Sequence, residues 1–315
     1  VYTTGTSIDT GGQPRESLRT VYGRIDQDID RAIELLEKAR ETTLAENNKS
    51  HINLYVALGI KSRACLAEGD WDGAFKAAKR VIDEGGYAVG TKSDLTGGMN
   101  SLDKQNVMWG AGIQVADQAG GYAGFFTHMD NKEGAYAKSA PKLISKQLYN
   151  RISATDIRRD WWDPSDKESP YVSKKFSFAN VASFLGDYIY MRVEEMYFTA
   201  AEAALRLDDL KSARELMNTV MAERDPGYSA NNRSGTLLGA TTTTWTGSFL
   251  ENILTHRRIE LWGEYGRLFD VRRLGQGIDR RTDDGFSEEC ISMMNRRNVN
   301  ITKADTYDWV LTIPK

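Results

Sequence analysis

Two eleven-residue segments of this chain, Ala64-Cys-Leu-Ala-Glu-Gly-Asp-Trp-Asp-Gly-Ala74 and Ala203-Ala-Leu-Arg-Leu-Asp-Asp-Leu-Lys-Ser-Ala213, can be laid on one another. Each reads as the end of one helix, an acidic turn and the start of the next. The small residues Ala74 and Ala213, and later Val81 and Val220, repeat the same inward positions. A helical hairpin of this kind cannot bury its apolar face alone, so a chain that repeats it has to stack the copies. The expectation is a mainly α fold, a tetratricopeptide-type helical hairpin scaffold.

The flanking sequence agrees. Over 15–39, Leu18, Tyr22, Ile25, Ile29, Ile33 and Leu36 recur at spacings of three and four, with charged residues between them, which predicts an amphipathic helix. A helix over 51–68 carries Ala57, Gly59, Ala64 and Ala67, small enough to admit a close neighbour, and Gly69-Asp70 ends it before a third helix from Trp71 to 84. Further helices are expected over 188–207, 209–224 and 247–263. Between the two halves, glycines and prolines (Gly97-Gly98, Gly120-Gly121, Pro141, Pro164, Pro170) predict loops and short strands, with one helix near 141–152. The chain is therefore read as one domain: helical repeats over 1–86, a loop-rich ligand-binding insertion over 87–187, repeats again over 188–273, and a tail over 274–315. A long irregular insertion in a helical frame is more often functional than ornamental.

Charge removes some functions. With 41 basic and 44 acidic residues among 315, no single-sign field for nucleic acid is evident. No apolar run approaches the roughly 18 residues of a membrane span. The chain opens Val-Tyr-Thr-Thr-Gly, with neither a start Met nor a signal segment, so any targeting segment or lipid-anchor cysteine would have to lie upstream. Cys65 and Cys290 are far apart and fit no metal-ligand spacing, and Cys65 reads as an inert core thiol. His51, His128 and His256 form no metal set, and no nucleophile elbow, phosphate loop or dinucleotide fingerprint is present. No catalytic residue, metal or cofactor is expected.

The most distinctive segment is Ile253-Leu-Thr-His-Arg-Arg-Ile-Glu-Leu-Trp-Gly-Glu-Tyr-Gly-Arg-Leu-Phe-Asp-Val-Arg-Arg273, in which Glu260, Glu264, Arg267, Asp270 and Arg273 form a charge lattice. Spacings of three and four suit paired charges within and between helices, so these residues are expected to hold the stack together rather than to catalyse.

Glu260, Leu261, Glu264, Arg267, Phe269, Asp270 and Arg273, the segment Arg192-Val-Glu-Glu195 leading to Ala201-Glu202-Ala203, and Asp156-Ile-Arg158-Arg159 together resemble the SusD/RagB family. The closing Leu311-Thr-Ile-Pro314-Lys315 is similar to the family's final stretch. Two positions depart from the pattern: His256 stands where an acidic residue is usual, and Tyr265 where glycine is usual. The resemblance implies a SusD-like α/α superhelix beginning partway through the family's length. It implies also a surface lipoprotein of the outer membrane of Bacteroidetes-type bacteria, which binds an oligosaccharide or polysaccharide and delivers it to a SusC-like TonB-dependent transporter.

A sugar presents an apolar C–H face and a rim of hydroxyls, so its site calls for flat aromatic walls and a few polar groups. The insertion carries both: Tyr122, Phe125, Phe126, Asp130, Asn131, Tyr136, Trp161 and Trp162 are the candidate ligand residues. Adjacent Trp161 and Trp162 on extended backbone would point to opposite sides, so one is expected to be exposed. Trp109, in Val107-Met-Trp-Gly-Ala111, reads as core strand. The alternatives are a tetratricopeptide scaffold or peptide-binding import component, and, behind those, an α-helical glycoside hydrolase.

Overall fold

A computed structural model describes residues 16–40, 48–117 and 123–278. Its elements in chain order are α1 (Leu18–Arg40), α2 (Leu54–Glu68), α3 (Trp71–Glu84), the short α4 (Lys92–Thr96), β1 (Val107–Ala111), the short α5 (Phe125–Met129), α6 (Ala135–Ser139) and α7 (Lys146–Tyr149), β2 (Trp162–Asp163), β3 (Val172–Ser173), β4 (Tyr188–Arg192), α8 (Val193–Arg206), α9 (Leu210–Ala222), α10 (Phe249–Glu260) and α11 (Arg267–Arg273). The fold is mainly α, as the hairpin repeat predicts.

The repeat is exact at the level of backbone. In the first hairpin Gly69 adopts a left-handed conformation, the Asp70 N–H donates to the Cys65 carbonyl, and the Asp70 carboxylate caps α3 by accepting from Gly73 N. In the second, Asp208 takes the left-handed position (φ 65), Asp209 N–H donates to Ala204 O, and the Asp209 carboxylate caps α9 by accepting from Ser212 N. The acidic turn is thus a C-terminal stop followed by an N-cap, and such a cap contributes about 1 kcal/mol. Ala74, Val81, Ala213 and Val220 are all fully buried. They close the α2–α3 hairpin onto the α8–α9 hairpin, with α8 central and touching α2, α3, α9 and α10. Nearly the whole of α8 is buried, Val193 through Leu205 apart from Tyr197. Within this frame the Cys65 thiol is pushed up to about 12 by burial, reinforced by the Asp70 carboxylate, so it is inert.

Two expectations change. The helix expected over 188–207 begins only at Val193; Tyr188-Ile-Tyr-Met-Arg192 alternates like a strand and pairs antiparallel with β1, Ala111 opposite Tyr188 and Gly110 opposite Ile189. Aromatic and β-branched residues at period two favour that state, and the helical run directly behind them masks it in the sequence. Among its described residues the insertion likewise contains four short helices, α4 to α7, where loops and one helix near 141–152 were expected; each has only four or five residues, too few to show a period. They and the β2–β3 pair surround a second apolar cluster in which Phe126, Trp161, Trp162, Phe176 and Phe178 meet Ile259 of α10. The insertion therefore has a core of its own, fused to the scaffold. Trp109 is half-buried on β1, with its ring edge-on to Tyr190 at 5.1 Å. Among the described residues no helix is long and apolar enough to cross a membrane. Trp309 and the 311–315 stretch lie outside the described residues, as does Cys290.

Candidate functional site: an aromatic groove beside a buried charge network

The three segments that carry the family resemblance converge in space. Asp156 and Arg158 before β2, Arg192 and Glu194 at the start of α8, Glu260 at the end of α10 and Glu264 just after it join Lys175 and Arg224 in one buried cluster of four cations and four carboxylates. Glu260 is its hub. It accepts from Arg224 at 3.0 Å through both oxygens, from Arg192 Nη1 at 3.0 Å and from Arg158 Nη1 at 3.1 Å. Burial alone would raise the Glu260 carboxyl, but Arg224, Arg192 and Arg158 override it and hold it well below the ordinary range. A second balanced set lies alongside: Arg63 and Arg257 on Glu195, Arg257 and Arg273 on Asp270, and Arg273 bidentate on Glu202 at 2.7 Å. Guanidinium forks suit this task because one side chain reaches carboxylates on two elements at once.

These pairs tie helices together. Glu194 and Glu260 are fully buried, so a carboxylate pair for acid/base chemistry has no substrate to meet here. The pairing runs mostly between elements; Asp270 with Arg273 is a three-residue step within a helix that the motif supplies. His256 fits the same scheme. Its pKa is driven well below 6.5, first by burial and then by the Arg158 and Arg233 charges. Its Nδ1 lies 2.8 Å from Arg158 Nη2, and since guanidinium only donates, Nδ1 is the acceptor and the ring is neutral with its proton on Nε2. Arg158 already has Asp156 and Glu260, so a neutral acceptor completes it where a third carboxylate is not needed.

The network also builds a surface. After α10 the chain turns through Gly263 (φ 75) and Gly266 (φ 107), left-handed conformations that side-chain-bearing residues rarely adopt. A Cβ on Gly263 would also sit 2.6 Å from the Phe176 ring. Lys175 fixes the turn from beneath by donating to the carbonyls of Glu260 and Trp262 at 2.7 and 2.8 Å, and Glu264 is drawn inward onto Lys175 and Arg192. With Glu264 pulled in, the neighbouring Tyr265 is left facing out, 37% exposed. Arg192, gripped by the same carboxylates, anchors the end of β4, whose Tyr188, Ile189 and Tyr190 line the same depression.

The result is a groove of about 310 Å³ walled by Phe125, Tyr188, Tyr190 and Tyr265, with Met99 and Phe176 below and Arg63 and Glu264 as its charged members. Arg63 is bidentate on Glu195 (2.8 and 2.6 Å), donates to Tyr190 O at 2.8 Å, and sits over the Tyr265 ring at 3.8 Å. Tyr265 stacks in turn on exposed Phe269, centroids 5.4 Å apart. Both walls are held before any ligand arrives, which limits the entropy cost of binding. Such a groove can receive the flat apolar faces of a hydroxylated ring while its phenol and guanidinium groups meet the rim.

The candidates from the sequence are scattered. Phe125 lines the groove, packed edge-on against Phe126 and Phe176. Tyr122 lies outside the described residues. Phe126 is core, between Phe178 and Tyr188. Trp161 and Trp162 are both buried, at 3% and 1%, contrary to the expectation that one would be exposed. The alternation argument fails because Ile157–Trp161 is a tight helical turn and only Trp162 enters a strand, so both indoles turn inward and meet edge-to-face at 5.8 Å. Asp130 is buried and accepts from the backbone N–H groups of Lys132, Glu133 and Phe178, and Asn131 bonds the backbone at Lys142 and Ser173; both are loop staples. Tyr136 is exposed, stacked on His128 at 4.7 Å, and is not part of the groove. Tyr188, Tyr190 and Tyr265 were missed. The signals were present: period two in Tyr-Ile-Tyr, and an aromatic residue at a turn where glycine is usual.

The SusD family model matches residues 127–310, more than half of the 315. The chain is similar to a SusD-like carbohydrate binding protein from Bacteroides vulgatus, 28% identical with a TM-score of 0.70, covering 89% of this chain and 57% of that one. A SusD superfamily protein from Bacteroides thetaiotaomicron shares the fold at 20% identity and a TM-score of 0.74, covering 98% of this chain and 66% of that one. Surface glycan-binding protein A from Bacteroides uniformis shares it at 18% identity and 0.58, covering 82% of this chain and 58% of that one. The chain therefore spans 57 to 66% of the length of these solved structures. No curated protein matches it in sequence. Motif, fold and family model agree, and the chain belongs to the SusD family.

Proposed function

We propose that this chain is a glycan-binding protein, and that the groove between β4 and the turn after α10 is where it holds an oligosaccharide. The observation that carries this is the set of aromatic side chains, Phe125, Tyr188, Tyr190 and Tyr265, that line one groove beside Arg63. Each stacked sugar face contributes about 1–2 kcal/mol at roughly 25 cal/mol per Å² of apolar area, so a few such contacts give affinities between about millimolar and micromolar. Binding of this kind is non-covalent and needs no cofactor. Residues 87–187 are read as the ligand-binding insertion of a single domain, contributing Met99, Phe125 and Phe176 to the groove.

Family membership and the carbohydrate-binding relative from Bacteroides vulgatus support this reading. We further infer a surface protein of an outer membrane, lipid-anchored, that hands glycans to a SusC-like TonB-dependent transporter; membership of the family supports this. Calorimetric titration of the protein with a panel of neutral oligosaccharides, and separately with a peptide mixture, tests the binding claim. Saturable binding of one glycan class is expected. Binding of peptides alone would overturn the reading in favour of a peptide importer.

A further inference from the structure

A cleft of about 450 Å³ that shares no lining residue with the groove runs along the turn Ile157–Trp161 and the start of β2, with Lys92 and Lys174 on its rim. Three features make it more than a surface depression. Trp162, 1% exposed, lines it, and the indole N–H finds no acceptor among the described residues. Arg159 is fixed in advance: its guanidinium sits over the Tyr149 ring at 4.3 Å and Nη1 donates to Ile152 O at 2.6 Å, while Nε and Nη2 make no hydrogen bond to a described residue. The wall also mixes charges, Arg159, Lys92 and Lys174 against Asp160 and Asp163, with Asp156 already committed to Arg158.

That inventory selects a ligand. A guanidinium edge held flat with free N–H groups is shaped for a carboxylate, and its rotamer freedom is already lost before binding. The two acidic side chains work against a bare inorganic anion but accept hydrogen bonds from hydroxyls. Asp163 is kept ionised by hydrogen bonds from Ser165, so it is an acceptor at neutral pH. In the groove, by contrast, Arg63 is matched by Glu195, and Glu264 by Arg192 and Lys175, leaving no comparable unpaired demand for negative charge.

We propose that this cleft is a separate carbohydrate site that takes an acidic sugar unit, the carboxylate on Arg159 and the rim lysines and the ring hydroxyls on Asp160 and Asp163. It does not rest on the groove reading. The test is calorimetric titration with glucuronate, glucose and acetate of the wild type and of Arg159→Gln, Lys174→Glu and Tyr265→Ala. Saturable glucuronate binding is expected, with glucose and acetate weaker by about tenfold or more. Lys174→Glu and Arg159→Gln should each weaken glucuronate about tenfold, and Tyr265→Ala should leave it unchanged. Lys174 is exposed, so its variant serves if Arg159→Gln does not fold. Glucose or acetate binding as tightly as glucuronate, indifference to Lys174→Glu, or no saturable glucuronate binding by the wild type would each overturn the proposal.

Discussion

The charge network and the groove beside it share Glu264 yet use polar chemistry in opposite ways. In the network every charge is buried and opposed by another, and removing one partner strands the rest in a medium that cannot solvate them. In the groove the aromatic rings are partly exposed, and truncating one removes a surface without leaving an unpaired charge behind. Position in the family motif follows the first kind of role. The residues that carry the resemblance, Glu260, Arg192, Asp156 and Arg158, fix the fold, whereas Tyr190 and Tyr265, which shape the groove, are not among them.

The widest separation between the two regions is expected from Glu260→Ala. It should cost about 3–5 kcal/mol by leaving Arg158, Arg192 and Arg224 without their shared carboxylate, read as a lower denaturant midpoint, with glycan affinity of the folded fraction unchanged. A variant as stable as the wild type would remove the network's structural role. In the groove, Tyr190→Ala combined with Tyr265→Ala should weaken glycan binding by about 2–4 kcal/mol, and either alone by about half, with little change in melting temperature. Glu264→Ala sits on the boundary and should lower both stability and affinity, because the carboxylate that pairs with Arg192 and Lys175 also sets the turn that carries Tyr265.

The smallest effect is in pH. Neutral His256 has its folded pKa held well below 6.5, so on acidification the unfolded chain takes up that proton first and stability falls as pH drops through 6.5. His256→Gln should remove this early decline and leave only the fall beginning near pH 4.5, where the depressed Glu260 and Glu264 carboxyls start to favour the unfolded state. Thermal melts of both proteins between pH 7 and 4 check it, and identical profiles would contradict the assignment.

The scaffold was readable in the sequence because its determinants are local. Apolar spacing, the left-handed turn residue and the capping Asp70 and Asp209 all act within one or two turns of chain. Charge spacing marked Glu260, Glu264, Arg267, Asp270 and Arg273 as a structural lattice; Glu260, Glu264, Asp270 and Arg273 lie in buried ion pairs and the Arg267 charge acts on Asp270, but Arg224 and Lys175, which complete the cluster, come from parts of the sequence with no matching period. The site was read less well because exposure is decided by distant partners. Trp162 is covered by Trp262, and Phe126 by Phe178 and Tyr188, contacts that no window around the aromatic itself displays. Tyr188 and Tyr190 were hidden by being assigned to a helix, in which they would not share one face.

The central claim is that the groove binds glycan while the network beside it only holds the groove in shape. It is tested most directly by measuring calorimetric affinity and melting temperature side by side, for the wild type and the Tyr190→Ala, Tyr265→Ala protein, with whichever neutral oligosaccharide binds. The account predicts that binding falls away while the melting temperature stays close to that of the wild type. Unchanged affinity in that variant would contradict it.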